Sequence, residues 1–231
     1  MNDVVPFPAG PDRRRFLTAG LGVAGGAALW AVGAGGTAVA APDLPRNSQW
    51  RAAGSANGWP VVDEPKAQRI EGSDVSVAVR DGEAATVLLY VARRFHYEID
   101  TLRAGDITGH RTSRTIQQPY ESNYLSGTAI AIRPAGHPVG AENGFFPNEL
   151  VIVRDILAEC EGVVRWGGDE RTPKESHFQI DVRPGDARLK AVAAKIGGWS
   201  ADPGKGAGTV DAFEPGRRRV AEGLKRRQRS A

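Results

Sequence analysis

The chain has 231 residues, of which 41% are hydrophobic and 25% are charged, with a formal net charge of +3. This length accommodates one domain of about 100–200 residues with flanking segments and excludes two large domains. The charge is uneven, because eight basic and three acidic residues lie from Lys205 onward, after a mildly acidic middle region. Cys160 is the only cysteine, which excludes an internal disulfide bond.

The first 40 residues have the features of an export signal. Residues 13–17 read RRRFL, which fits the twin-arginine pattern, and a Gly- and Ala-rich apolar stretch covers residues 19–40. Its last three residues, AVA, form a small-residue cleavage site, so we expect the mature chain to begin near Ala41. The alternative is an uncleaved membrane anchor, because about 22 residues can span a bilayer.

The signal predicts where the protein acts. Export by the twin-arginine route leads to the periplasm, the cell wall or the outside of the cell. We therefore expect no nucleic acid as a partner, and membrane attachment only if the signal segment stays uncleaved.

An irregular arm and a strand–helix unit are predicted next. Residues 41–65 are rich in Pro, Gly and Ser and contain Trp50 and Trp59, which indicates an arm that packs irregularly on the domain. Residues 75–79 alternate as in a strand, and apolar residues recur with the helical period from Glu83 to Ile99. Asp81 is the candidate N-cap of this helix.

A second helix and three short strands follow. Pro147 suits the first helical position, and apolar residues recur at helical spacing from Phe146 to Leu157. Cys160, at the end of this helix, is expected to be a small buried residue rather than a reactive thiol. Strands are predicted over residues 128–132, 163–166 and 177–182. Because strands and helices do not alternate regularly, we predict an α+β fold, with a small, mainly antiparallel sheet and two to three helices.

The predicted domain ends with a third amphipathic segment over residues 186–196, with a candidate cap at Asp186 and two glycines after it. We therefore assign residues 66–197 to the domain. Residues 198–231 contain the basic runs 217–219 and 225–227 and are predicted to be a disordered tail. Such a tail can contact anionic wall polymers or lipid head groups.

Three blocks within the predicted domain carry a resemblance to a known family. They read SNYLSGTAIAI at residues 122–132, VRWGGD at residues 164–169 and SHFQID at residues 176–181. These blocks resemble the D-alanyl-D-alanine carboxypeptidase and endolysin peptidases, which are zinc enzymes related in fold to lysostaphin and hedgehog. The resemblance covers roughly residues 50–196. It implies a hedgehog-like fold, a cell-wall peptide as substrate and zinc as cofactor.

The chemical residues of that family are largely replaced here. In the family, the pattern S-x-H-x-x-G-x-A-x-D supplies two zinc ligands, and [DE]-x-x-H-F supplies the general base and the third ligand. Ser122 matches the pattern, but the two ligand positions hold Tyr124 and Ala131. His177 matches the third ligand, whereas the base position is Lys174, whose ammonium we expect to be solvated in a polar loop.

Arg111, in the segment GHRT at residues 109–112, resembles a family arginine that steadies a substrate carboxylate or oxyanion. A planar guanidinium can bind a carboxylate without any catalysis. The candidate binding residues are therefore Arg111, Ser122, Tyr124 and His177. No catalytic residue and no cofactor are expected on this interpretation.

Three functions remain open. The first is a pseudoenzyme that binds peptidoglycan peptides or another wall ligand in the former active-site groove. The second is an active cell-wall metallopeptidase with a non-standard zinc site, in which Glu175 replaces the base and His110 or His137 joins His177 as a zinc ligand. The third is a protein-interaction scaffold that uses the basic tail as its contact surface.

Overall fold

The computed structural model describes residues 47–202, 204 and 208–229. The chain divides into the units Met1–Pro42 and Asp43–Ala231, and the described residues belong to the second. The export signal predicted for residues 1–40 lies outside them. No helix in the described ranges is long and apolar enough to cross a bilayer.

A four-stranded antiparallel sheet forms the centre of the unit. Its strands are β4 (Ile107–Thr108), β6 (Ala129–Ile132), β7 (Val164–Trp166) and β8 (His177–Ile180), in the order β4-β6-β8-β7. Every residue of β6 and β8 is buried. Two smaller antiparallel pairs accompany it, formed by β1 (Ser48–Gln49) with β5 (Thr115–Ile116) and by β2 (Ala67–Arg69) with β3 (Ser76–Ala78).

Helix α1 (Glu83–Glu98) follows β3 and buries its apolar face in the main hydrophobic core. The helix begins after Gly82, not after a capping Asp81 side chain as predicted, and no side chain caps it. Asp81 instead accepts a hydrogen bond of 2.8 Å from Gln68 of β2. Gly82 has a φ of +87°, which favours glycine at this position.

Helix α2 (Pro147–Glu159) begins at the predicted proline. Cys160 directly follows it and is fully buried, and this burial raises the pKa of its thiol to about 12. A thiol in this state is not a nucleophile at neutral pH, as expected for a small core residue. Helix α3 (Ala187–Ser200) follows the predicted cap Asp186, whose side chain accepts a hydrogen bond from the backbone N–H of Arg188. The helix continues through Gly197 and Gly198, where its end was predicted.

With helices on a small antiparallel sheet, the predicted α+β class is confirmed.

The C-terminal region differs from its prediction. Residues 215–229 form helix α4 (Pro215–Arg229), and its residues Ala221, Leu224 and Gln228 are buried. These three positions recur at helical spacing, and the helix packs on α2. The prediction of a disordered tail over residues 198–231 is therefore corrected for this helix, because the basic composition hid a narrow stripe of buried positions.

A group of ion-paired side chains links α1, α2 and α4. We call its members, Arg94, Glu98, Asp155, Glu159 and Arg217, the Arg94 cluster. The side chain of Arg94 is fully buried and donates to Asp155 at 2.7 Å and to Glu159 at 2.8 Å. It also donates to Glu98 at 2.6 Å through Nε. From α4, Arg217 donates to the same Asp155 and Glu159, so this pairing holds α4 against α2.

Candidate functional site

The structure brings together the three positions that the resemblance assigns to zinc ligands. Ala131 on β6 lies directly opposite His177 on β8 in the strand register. Tyr124 ends a 3-10 helix, Pro119–Tyr124, and its hydroxyl lies 2.7 Å from Nδ1 of His177. Gly127, between that helix and β6, has a φ of +68°, and a Cβ there would lie 2.7 Å from the backbone nitrogen of Arg80. Glycine is therefore required to turn the chain from Tyr124 into β6.

A chain of hydrogen bonds fixes the tautomer of His177. The backbone N–H of Asn57 donates to Oδ1 of Asn123 at 3.1 Å, so Nδ2 of Asn123 is the donor to Oε1 of Gln179 at 2.7 Å. The same Oε1 lies 2.8 Å from Nε2 of His177, which must therefore carry a proton. Nδ1 is then the acceptor for the hydroxyl of Tyr124.

His177 is neutral at physiological pH. The side chain is fully buried, and this burial lowers its pKa to about 3, more than the bond to Gln179 raises it. The positive charges of Lys174 and Arg111 lower the pKa further. Both nitrogens of the ring are already engaged, so His177 acts here as a connector between Tyr124 and Gln179.

Lys174 is buried and paired, not solvated as the sequence predicted. Its Nζ donates to Oε1 of Glu121 at 2.7 Å, and both side chains are almost completely buried. Burial lowers the pKa of Lys174, and the negative charge of Glu121 acts in the opposite direction. Burial raises the pKa of Glu121, but Lys174 and the backbone N–H of Gln117 more than compensate, and the net shift is downward.

Two cations contact the ring of Tyr124. The guanidinium of Arg111 lies 4.8 Å from the ring centroid, and the ammonium of Lys174 lies 5.1 Å from it. Arg111 Nη2 also donates to the backbone oxygen of Glu121 at 3.4 Å. Burial raises the pKa of Tyr124 well above its usual range. We call Arg111, Glu121, Tyr124, Lys174 and His177 the His177 cluster.

Ser122, the remaining candidate binding residue, is buried and serves the fold. Its hydroxyl donates to the carbonyl oxygen of Pro119 at 2.7 Å and accepts from the backbone N–H of Ala56 at 2.8 Å. These bonds join the N-terminal arm to the 3-10 helix.

The residues near His177 do not fit a zinc ion. Tyr124 donates its hydroxyl proton to the one available imidazole nitrogen, and Ala131 has no donor atom. Among the described residues, no group of three or more His, Cys, Asp or Glu side chains is arranged to hold a metal.

The substitutes that the metallopeptidase hypothesis requires have other partners. Glu175 accepts hydrogen bonds from the backbone N–H groups of Asn143 and Gly144, at 2.9 and 2.8 Å, and lies 3.2 Å from His137. His110 lies 2.9 Å from the backbone oxygen of Val62. The structure therefore does not bring Glu175, His110 or His137 into contact with His177.

A polar cavity of about 540 Å³ lies at the end of the hydrogen-bond chain. Its lining is mostly polar and includes side chains of both charges together with two of the carboxamides described above. The lining residues are Ala56, Asn57, Gly58, Gln118, Pro119, Tyr120, Asn123, Glu170, Arg171, Thr172, Gln179, Asp181 and Arg183. The four predicted binding residues, Arg111, Ser122, Tyr124 and His177, are not in this lining. His177 contacts two lining residues, Gln179 through a hydrogen bond and Tyr120 through its ring, with 4.9 Å between the ring centroids.

The cavity offers several groups for a polar ligand. Oε1 of Gln179 is used twice within the protein, whereas its Nε2 has no acceptor among the described residues. Arg171 and Arg183 are exposed at the rim. Burial raises the pKa of Glu170, despite the nearby Arg165.

Two of the missed lining residues had a signal in the sequence. Asn123 lies between the predicted residues Ser122 and Tyr124, and strand alternation places Gln179 on the same face as His177. The side chain of Asn57 donates a hydrogen bond to the carbonyl oxygen of Ile180, about 120 residues further along the chain. Only the tertiary structure reveals this contact.

The chain matches no protein-family model, no curated protein and no solved structure in comparisons with known proteins.

Proposed function

We propose that this protein is an exported relative of the D-alanyl-D-alanine peptidases that binds a cell-wall peptide without cleaving it. The observation that carries the proposal is the His177 cluster. The hydroxyl of Tyr124 donates to Nδ1 of His177, the imidazole nitrogen that could otherwise bind a metal. Lys174 stands at the position of the family's carboxylate base and is paired with Glu121. Hydrolysis of a peptide by that family requires both an open metal position and a base.

The ligand site in this proposal is the polar cavity, not the His177 cluster itself. A peptide C=O group pairs well with a carboxamide N–H, and Nε2 of Gln179 in the cavity lining has no acceptor among the described residues. A terminal carboxylate pairs with a guanidinium, which Arg171 and Arg183 supply. The His177 cluster then supports the cavity wall by holding Gln179 and Asn123 in one orientation.

The test is calorimetric titration of the purified full chain with a synthetic stem pentapeptide that ends in D-Ala-D-Ala. We expect saturable binding, with the peptide recovered intact. Arg183→Ala should weaken binding about tenfold, since a hydrogen bond to a charged group contributes about 1.5–3 kcal/mol. Arg51→Ala is the matched control, because Arg51 is exposed and lies outside the cavity lining.

Two results would decide against the proposal. Cleavage of the pentapeptide that a chelator abolishes would support the metallopeptidase alternative, and stoichiometric zinc in the purified protein would accompany it. Absence of binding to this peptide at millimolar concentration would remove the wall peptide as the ligand.

A further inference from the structure

Helix α4 carries a high density of positive charge. Seven of its 15 residues are basic and one is acidic. We call Arg218, Arg219, Arg226, Arg227 and Arg229 the basic face of α4. All five residues are exposed.

The inner side of α4 fixes the direction in which the basic face points. Ala221, Leu224 and Gln228 are buried, and Nε2 of Gln228 donates to the backbone oxygen of Val164 at 2.8 Å. Arg217 is held by Asp155 at 2.7 Å on the same side. The helix is therefore docked on the domain with the basic face toward solvent.

Folding does not account for the charges at the start of α4. The N-terminus of a helix carries a partial positive charge, which favours acidic residues in the first turn. The first turn of α4 has no acidic residue, and three consecutive arginines occupy positions three to five of the helix. Arg217 has its carboxylate partners, but Arg218 and Arg219 have no ion-pair or side-chain hydrogen-bond partner among the described residues. These two charges thus oppose the positive end of the helix dipole and form no ion pair among the described residues.

Two apolar side chains lie exposed beside these arginines. Val220 directly follows Arg219 and is 61% exposed, and Phe213, just before the helix, is 46% exposed. Basic residues bordered by exposed apolar side chains are typical of surfaces that bind the interface of an anionic bilayer.

We propose that the basic face of α4, with Phe213 and Val220, docks this protein on the surface of a bilayer that contains anionic phospholipid. The phosphate groups pair with the guanidinium groups, and the two apolar side chains insert among the lipid head groups. The bilayer is a better fit than a soluble polyanion, because a polyanion leaves Phe213 and Val220 in water. This contact is peripheral and does not involve the polar cavity.

The test is co-sedimentation of the full chain with vesicles of phosphatidylglycerol and phosphatidylcholine, compared with phosphatidylcholine alone. The neutral vesicles measure any contribution from the apolar residues 19–40, which every variant shares. We expect preferential binding to anionic vesicles that weakens steeply with salt. The triple variant Arg218→Gln, Arg219→Gln, Arg229→Gln should lose about 100-fold in affinity, at about fivefold for each basic residue at an anionic surface.

A control variant keeps the net charge of the triple variant. Arg51→Gln, Lys66→Gln and Lys190→Gln also removes three exposed basic residues, but none of them lies on α4. It should bind anionic vesicles within about threefold of the wild type. Equal losses in both triple variants would overturn the proposal, since only net charge would then matter.

A second pair of variants distinguishes a bilayer from a soluble polyanion. Phe213→Ser with Val220→Ser should weaken vesicle binding several-fold and leave binding to inorganic polyphosphate unchanged, because insertion occurs only in lipid. Vesicle binding that is unaffected by these changes would contradict docking on a bilayer. Circular dichroism of every variant confirms that α4 remains helical.

Discussion

Two buried ion clusters among the described residues differ in how they connect to the surface. The Arg94 cluster joins three helices and places two guanidinium groups against shared carboxylates. The His177 cluster contains one close ion pair, Lys174 with Glu121, and is linked through a hydrogen-bonded imidazole to the wall of the polar cavity. Buried charge by itself therefore does not identify a functional site. Both clusters adjoin a cavity, since Asp155, Glu159 and Arg217 line one of about 290 Å³. The difference is that the His177 cluster reaches its cavity through a chain of neutral hydrogen-bonding groups, whereas the Arg94 cluster lines its cavity with the ion-paired side chains themselves.

The largest effect is expected in the Arg94 cluster. Arg94→Met should lower the free energy of unfolding by about 3–5 kcal/mol, because it leaves buried carboxylates without their partner. Urea denaturation measures this loss. Arg93→Met is the matched control on the same helix, since the one ion pair of Arg93 among the described residues is with the exposed Glu71. A similar loss for both variants would mean that packing, not charge, dominates at Arg94.

In the His177 cluster, Glu121→Gln should cost about 2–3 kcal/mol of stability, because Lys174 remains buried without an anion. Adding Lys174→Met to this variant should recover most of the loss, which a double-mutant cycle in urea measures. We also expect weaker peptide binding in Glu121→Gln and unchanged binding in Arg94→Met. If both variants bound peptide equally well, the proposed difference between the clusters would not hold.

The pH dependence of stability gives a third test. The pKa of His177 falls from its usual value of 6.5 to about 3 on folding, so below pH 6.5 the unfolded chain takes up a proton that the folded chain does not. The contribution of His177 to the free energy of unfolding is therefore fully present above pH 6.5 and is lost progressively as the pH falls toward 3. Between pH 6 and pH 4, wild-type protein should lose about 1.4 kcal/mol per pH unit more than His177→Gln. Parallel stability curves from urea titrations would contradict the assignment of a neutral, buried imidazole.

The smallest effect is expected for single hydroxyl groups. Tyr124→Phe removes the donor to Nδ1 of His177 and should cost about 1–2 kcal/mol, since it leaves a buried acceptor unpaired. Tyr120→Phe removes a donor to the backbone oxygen of Thr172 at the cavity, where solvent can replace it, and should cost less than about 1 kcal/mol. Thermal denaturation compares the two variants. The reverse order would place the more strongly held hydroxyl at the cavity rather than in the His177 cluster.

Much of the local structure could be predicted from residue order. Pro147 at the start of α2 and Asp186 before α3 were predicted from local preferences, as were the three short strands that correspond to β6, β7 and β8. The resemblance of the SNYLSGTAIAI and SHFQID blocks to the peptidase family also implied that Tyr124, Ala131 and His177 form one group. Their proximity in the structure agrees with that prediction.

Other features were missed because their determinants lie far apart in the chain. Lys174 follows a proline among polar residues, and its burial depends on Glu121, more than 50 positions away. The polar cavity requires Asn57 from the arm to meet Asn123 and Gln179. Its lining was therefore not predictable from the motif alone.

Helix α4 shows which features the amino-acid sequence determines and which require the tertiary structure. The amino-acid sequence alone determined the apolar and polar periodicity, the cap of α3 and the basic character of the C-terminal region, because these depend on neighbours within a few residues. Only the tertiary structure decided that residues 215–229 fold, since Ala221 and Leu224 need α2 as a partner and Arg217 needs Asp155. A short, highly charged helix gains little stability from its own hydrogen bonds, and burial of one narrow face on a neighbouring helix stabilises it.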